Sequence, residues 1–195
     1  MPSEESRRIT DVGTLKALAH PLRAELYRLL CVERVATASQ LAGHVDEQVS
    51  LVSYHLRTLA RHGLIEQAEP RTGDARERWW QPSSDALGIR EEDFRDAPET
   101  AAAHLAATRL FLAQRTDRYR RHLDERATWS PEWTTASIDA ESWMRLTPAE
   151  LTALKEELVA LLRRYDAQGR AAEAAGATEG REHVALSVHG FPFRV

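Results

Sequence analysis

Residues 49–62 have the sequence VSLVSYHLRTLARH, which separates into two chemically different faces when it is placed on a helix. Apolar side chains at Val49, Val52, Leu56 and Leu59 follow steps of three and four, so they form one stripe that can pack on a core. The polar side chains of the other face are Ser50, Ser53, Tyr54, Arg57 and Arg61. The pattern predicts a helix with one buried face and one face free to contact a partner.

The residues that follow predict the end of this helix and then a β-hairpin. Gly63 favours the left-handed conformation that commonly ends a helix, and Arg61 lies in the last turn, where the helix dipole favours positive charge. Two extended runs, residues 64–69 and 75–81, flank the turn-rich segment 70–74. This arrangement is typical of a hairpin.

Three shorter helices are predicted upstream. Leucines between Leu15 and Leu30 recur at helical spacing, and Pro21 divides them into two helices because proline suits a first helical position and disfavours helix in the residue before it. Residues 37–45 predict a third helix, and residues 46–48 a polar link. This order of elements is that of a winged helix-turn-helix: two helices, a short helix, a link, a two-faced helix and a hairpin. In that fold the two-faced helix enters the DNA major groove.

The exposed side chains of the two-faced helix and the wing have the chemistry for this role. Tyr54 offers a ring for thymine methyl groups and a hydroxyl for phosphate, and Arg57 can form a fork on guanine or clamp a phosphate. Arg76 and Arg78, two apart on a strand, project from one face, with Arg71 at the wing tip. The predicted DNA-contacting residues are Gln48, Ser50, Leu51, Ser53, Tyr54, Arg57, Arg61, Arg71, Arg76 and Arg78.

Residues 10–85 resemble the arsenical-repressor family of bacterial winged-helix transcription regulators. The segments that carry the resemblance are LAHPLR at 18–23, SQLA at 39–42, VSLVSYHLRTL at 49–59 and GLI at 63–65. The resemblance implies a homodimeric repressor on an inverted-repeat DNA operator, with the helix around Ser50, Ser53, Tyr54, His55 and Arg57 as its DNA-reading element. The Cys-x-Cys pair of that family's metal sensors is absent, so metal sensing is not implied.

The pattern changes after residue 86, and we predict a DNA-binding domain over residues 8–86 and a second region over residues 98–195. Residues 82–98 are polar and bounded by prolines, which predicts a linker or a short surface helix. Helix formers dominate from residue 99 to about residue 127, and three side chains seven apart have the spacing of a seam between helices. These seam residues are Leu105, Leu112 and Tyr119.

The second region also contains strand-like patterns. Residues 138–146 and 183–188 alternate in hydropathy with a period of two, which predicts short strands. Between them Thr147, Pro148 and Glu150 form a strong helix start. The predicted fold class is therefore mainly α with small β: a winged helix-turn-helix domain followed by an α+β extension for dimerisation and effector binding.

Aromatic residues of the second region suggest a ligand-responsive regulator. The side chains that could line a small-molecule effector pocket are Trp129, Trp133, Trp143, Met144, Phe191 and Phe193. An ordinary core or a dimer interface is the alternative interpretation of the same residues.

Charge restricts how the chain could bind DNA. The 195 residues contain 26 basic and 30 acidic side chains, a net charge of −4, which argues against non-specific coating of nucleic acid. Residues 49–82 contain five basic and four acidic side chains, so useful affinity requires two half-sites and hence a dimer. A winged helix that binds protein instead of DNA remains an alternative, which the salt dependence of binding would distinguish.

The sequence lacks the motifs of several other classes of protein. One cysteine, Cys31, excludes an internal disulfide and a Cys-rich zinc fold, and the eight histidines show no ligand spacing, so we predict no metal site. Walker, Gly-x-Ser-x-Gly, HExxH and dinucleotide motifs are missing, so neither an enzyme nor a cofactor is predicted. No apolar run approaches the ~20 residues of a membrane span, and the first ten residues carry four charges. We expect a cytoplasmic protein with no membrane partner.

Overall fold

Four helices build the N-terminal part of the chain in the order predicted from the sequence. A computed structural model describes residues 7–70 and 77–194. The four helices are α1 (Val12–Leu18), α2 (Pro21–Glu33), α3 (Ala38–Val45) and α4 (Val49–Arg61). Pro21 occupies the first position of α2, which confirms that it separates two helices.

Local hydrogen bonds account for the helix boundaries. Thr37 begins α3 with a capping box, in which its side chain accepts from the Gln40 amide and the Gln40 side chain accepts from the Thr37 amide. Gly63 has a φ of +64° just after α4, as predicted. The Leu64 amide donates to the Leu59 carbonyl at 3.0 Å, which completes the left-handed helix stop.

A three-stranded antiparallel sheet contains the predicted hairpin. Its strands are β2 (Ala36–Thr37), β3 (Ile65–Gln67) and β4 (Trp79–Pro82), in the order β2-β4-β3. The register pairs Glu66 with Gln81. The hairpin is therefore confirmed with shorter strands than predicted, and its tip at residues 71–76 lies outside the described residues.

The segment predicted as a linker or surface helix is part of the fold instead. Strand β5 (Leu87–Ile89) pairs in parallel with β1 (Arg7–Ile9), and a 3₁₀ turn follows at Glu91–Asp93. Phe94 is 1% exposed. The prediction was wrong because a few apolar side chains within a polar segment are enough to anchor it to the core.

The core lies under α4 and joins all four helices to the sheet. Fully buried leucines and isoleucines from six elements meet there, together with Trp80 and Phe94. Val49 was predicted to be buried, but it is 46% exposed because the first turn of α4 extends past the edge of the core. His55 takes the buried position between Val52 and Leu59 that the four-residue pattern left open.

The predicted seam helix is present as α5 (Pro98–Asp124). One side of α5 packs on α1 and buries Ala107 completely. Leu105, Leu112 and Tyr119 lie on the opposite side and are about half exposed. The chain divides into two compact units after Asp124, whereas the sequence placed the boundary between residues 86 and 98.

The second unit is helical and contains no buried residue over residues 125–194. After a 3₁₀ turn at Arg126–Thr128 it contains α6 (Pro131–Ala136) and α7 (Pro148–Ala174). The predicted helix start at Thr147, Pro148 and Glu150 is present as a capping box that begins α7, and the helix continues to Ala174.

The strands predicted at residues 138–146 and 183–188 are absent from the described second unit. Alternation stabilises a strand only when one face is covered and the backbone is paired, and here Ile138 and Val184 are both more than 70% exposed. The mainly α fold with a small sheet is confirmed, but the extension is α rather than α+β.

Candidate nucleic-acid interface

Helix α4 packs on the core with one face and exposes the other to solvent. Val52, Leu56 and Leu59 are 0% exposed and fix the helix on the core. The predicted contact residues mostly lie on the other face: Gln48, Ser50, Leu51, Tyr54, Arg57 and Arg61 are exposed, and Ser53 is half-buried. The two-faced character predicted for residues 49–62 is therefore present in the fold.

The turn before α4 sets the direction of this exposed face. Asp46 ends α3 in the left-handed conformation, with a φ of 52°. The Glu47 amide donates to the Ala42 carbonyl at 3.2 Å, and the Val52 amide donates to the Gln48 carbonyl at 3.0 Å. Since α3 and α4 also pack on each other, the pair forms a rigid helix-turn-helix unit.

The two arginines of α4 differ in charge environment from those arginines of the first unit that form ion pairs. Arg8 pairs with Asp93, and Arg28 pairs with Glu25 at 2.6 Å. Within the described residues, Arg57 and Arg61 have no carboxylate within 4 Å and are exposed. Their charges are therefore available to an anionic partner.

Arg78 is the basic residue in the described part of the wing, and it lies just before β4 on the side of the hairpin tip. Arg78 is exposed and lies just before Trp79, whose side chain is buried. Across the hairpin, the Gln81 side-chain amide donates to the Glu66 carboxylate at 2.8 Å. Arg71 and Arg76, also predicted as contacts, lie outside the described residues.

A pair of histidines supports α4 from beneath, and no signal in the sequence predicted it. The His20 and His55 rings lie 4.8 Å apart between centroids, and Tyr54 meets His55 edge-on at 5.2 Å. Burial lowers the pKa of both imidazoles, and the nearby Arg23 guanidinium lowers it further. His55, which the resemblance placed within the reading helix, therefore positions that helix from its core side.

The residues predicted to line an effector pocket lie in the second unit. Trp143 and Phe193 pack edge to face with their ring centroids 5.1 Å apart. Met144 and Phe191 are more than half exposed, Trp129 is just over a third exposed, and Trp133 is half-buried. The structure brings two of the six together, and the pocket stays a prediction.

Neither a metal cluster nor a membrane-spanning helix is found in residues 7–70 and 77–194. No group of three or more histidine, cysteine, aspartate or glutamate side chains is arranged to hold a metal ion there. None of the helices there combines the length and the apolar character required to cross a membrane.

Fold and exposed face together define a helix-turn-helix module with a β-hairpin wing. Residues 18–68 match the model of a family described as a helix-turn-helix domain, which confirms the predicted class. The same segment contains all four motifs on which the resemblance to arsenical repressors was based.

Two solved structures are similar to this chain. One is described as a "possible transcriptional regulator for arsenical resistance", with 26% identity over 55% of this chain and 93% of its own, and a TM-score of 0.32. The other is the ZitR protein of Lactococcus lactis, a mutant in the apo form, with 16% identity over 78% of this chain and 90% of its own, and a TM-score of 0.30. A search of curated proteins finds no match.

Proposed function

We propose that this chain is a transcription repressor that binds an inverted-repeat DNA operator as a homodimer. The observation that carries the proposal is the exposed face of α4, where Arg57 and Arg61 have no carboxylate partner among the described residues. Helix-turn-helix proteins insert this helix into the major groove, and guanidinium groups there bind guanine edges or phosphates.

The neighbouring side chains suit the same surface. Ser50 and Tyr54 are exposed on α4 and offer hydroxyls to phosphates, while Leu51 offers an apolar contact to thymine methyl groups. Arg78 lies just before β4 on the tip side of the wing, where a strand can follow the phosphate backbone. Arg71 and Arg76 of the wing belong to the proposed contact set on the sequence alone.

The homodimer is proposed from the outer side of α5. Leu105, Leu112 and Tyr119 are between 45% and 49% exposed and share one face with Leu123. Burial of this stripe against a second copy would remove apolar surface from water, which stabilises at about 25 cal/mol per Å². A dimer would also place two α4 helices on the DNA. Two half-sites are needed because the wing and helix of one chain carry little net positive charge.

Selection of bound fragments from genomic DNA tests the DNA-binding proposal and requires no assumed operator sequence. The recovered sites are then titrated by fluorescence anisotropy at two salt concentrations. We expect an inverted repeat whose affinity falls steeply with salt, because phosphate neutralisation releases counterions. Arg57→Ala should cost about 1–3 kcal/mol of binding free energy. Arg95→Ala, an exposed arginine outside α4, is the matched control and should bind normally.

The dimer is tested by sedimentation of two exposed α5 variants. Leu112→Asp should give a monomer that has lost most of its operator affinity. Ala106→Asp introduces the same charge on an exposed residue rotated about 100° from Leu105, and should remain dimeric. A dimeric Leu112→Asp protein would contradict the proposed interface.

A protein-binding winged helix is the second candidate function. Val49, Leu51 and Tyr54 are all exposed on α4, and this apolar content favours a protein partner. A complex of that kind should keep its affinity as salt rises, whereas phosphate binding should not. This candidate would be supported over the operator proposal if the selection enriched no DNA site and the chain formed a protein complex whose affinity did not change with salt.

A further inference from the structure

A groove on the N-terminal unit is lined by no residue of α4. Helices α2, α3 and α5 border an open groove with a volume of about 430 Å³, within the range of small-molecule sites. Its lining residues are Leu22, Glu25, His44, Val45, Gln114, Asp117, Arg118 and Arg121. These side chains combine an apolar part with a charged part that holds two carboxylates and two arginines.

Arginines outnumber carboxylates around Glu25. Glu25 accepts from Arg28 at 2.6 Å and lies 3.7 Å from Arg118. The hydrogen bond from Arg28 holds the pKa of the Glu25 carboxyl below its ordinary value, with further contributions from Arg118 and Arg121. One carboxylate is therefore surrounded by three guanidinium groups.

The second carboxylate of the groove does not restore the balance. Asp117 pairs with Arg120 at 3.0 Å. Arg121 is exposed and has no carboxylate within 4 Å among the described residues. Burial lowers the pKa of Arg118, and repulsion from Arg28 lowers it further. His44 lies 3.7 Å from Glu33, which adds a third carboxylate. Four arginines still outnumber the three carboxylates around the groove, so the local charge is positive and attracts an anion.

The apolar part indicates what accompanies the anionic group. Leu22 and Val45 are half-buried and line the groove on the α2 and α3 side. The Gln114 side-chain amide donates to the Pro21 carbonyl at 3.0 Å, so its oxygen is left to accept from a ligand. The lining suits a molecule with a small apolar body and one charged end.

We propose that this groove binds a small organic anion, with its carboxylate or phosphate on Arg118 and Arg121 and its apolar body on Leu22 and Val45. Guanidinium groups bind both head groups through paired hydrogen bonds. His44 and Val45 are the last residues of α3, and only residues 46–48 separate them from α4. A ligand here would contact the helix-turn-helix unit directly.

Calorimetric titration of the purified full chain at constant ionic strength tests the proposal. Benzoate and phenyl phosphate are the anionic probes, and benzamide is the uncharged control with the same ring. We expect saturable binding of at least one anion at one site per chain and none of benzamide. Benzamide binding as tightly as the anions, or no saturation by either anion, would overturn the proposal.

Variants locate the site. Arg121→Gln should lower the affinity for the anion by at least about tenfold, the loss expected for one charge-assisted hydrogen bond. Arg121 is exposed, so this variant should keep the normal melting curve. Arg95→Gln is the matched control and should bind the anion normally. Equal affinity of the Arg121→Gln and natural proteins would place the anion elsewhere and refute the site.

The test is independent of the operator proposal because it uses no DNA. Anion binding that depends on Arg121 would stand even if the fragment selection recovers nothing. Loss of DNA affinity in Arg121→Gln, with neither anion bound, would assign these arginines to phosphate contacts and overturn the ligand site.

Discussion

The two units of the chain use apolar residues in opposite ways. Every buried side chain of the described residues lies between Ile9 and Ala107, whereas residues 125–194 bury none. Helix α7 is as long as α5, yet Val159, Leu161 and Leu162 are about 40% exposed. The first unit therefore derives its stability from a shared core, and the second from capping and hydrogen bonds within its helices.

A matched pair of leucine truncations should give the largest contrast between the units. Leu59→Ala removes a fully buried side chain under α4 and should lower the free energy of unfolding by about 2–5 kcal/mol. Leu162→Ala removes the same atoms from a 39% exposed position and should cost less than about 1 kcal/mol. Urea unfolding of the full chain, followed by circular dichroism and tryptophan fluorescence, measures both.

Equal losses for the two leucines would contradict the comparison. They would show that α7 buries Leu162 against a partner in solution, such as a second copy of the chain. Sedimentation at the same protein concentrations distinguishes that outcome from a simple error in the assignment of the core.

The same contrast explains which parts of the fold were predictable from sequence. The bounds of α4 and its stop at Gly63 depend on spacing within about fifteen residues, so the pattern contained them. The strands at residues 138–146 and 183–188 failed because alternation does not specify a pairing partner, and neither segment has one. Local signals were sufficient for the helices, and non-local pairing was not predictable.

The candidate site was predictable to the same extent. The exposed positions of Ser50, Tyr54 and Arg57 follow from the helical period alone. The stacking of His55 on His20 joins residues 35 positions apart, and the arginine groove joins α2 to α5 across about ninety residues. No spacing rule relates such distant segments, so these features required the structure.

Two capping boxes, one in each unit, give the next contrast. Thr37→Ala removes the cap of α3 at a position that is 2% exposed and should lower the free energy of unfolding by about 1 kcal/mol. Thr147→Ala removes the same motif at the exposed start of α7. It should reduce helical signal by fraying, with the transition of the buried Trp79 and Trp80 unchanged. A shift of that transition in Thr147→Ala would show that the units unfold together.

A pH titration should affect the first unit through its histidine pair. Burial lowers the pKa of His20 and His55 in the fold, with Arg23 adding to the shift and Glu47 opposing it at His55. The unfolded chain therefore binds protons that the fold does not, so the free energy of unfolding should fall as pH drops below about 6.5. Urea midpoints between neutral pH and pH about 5.5, above the ordinary range of the carboxylates, measure this.

Single substitutions identify which histidines cause the pH dependence of the free energy of unfolding. His55→Gln should flatten the pH dependence, although it also lowers stability at neutral pH because the ring packs on His20. His183→Gln is the matched control in the second unit, at an exposed position, and should keep the natural slope. An unchanged slope in His55→Gln would remove the histidine pair as its source.

Removal of residues 125–195 should have the smallest effect on the first unit. The truncation keeps α5, which packs on α1, and takes away no buried side chain of the described chain. The free energy of unfolding should therefore change by less than about 0.5 kcal/mol, as for surface changes. Since the proposed dimer stripe from Leu105 to Leu123 is retained, the shortened protein should also sediment as a dimer. A stable monomer would transfer dimerisation to the second unit, and a large loss of stability would show that its exposed apolar residues are covered in solution.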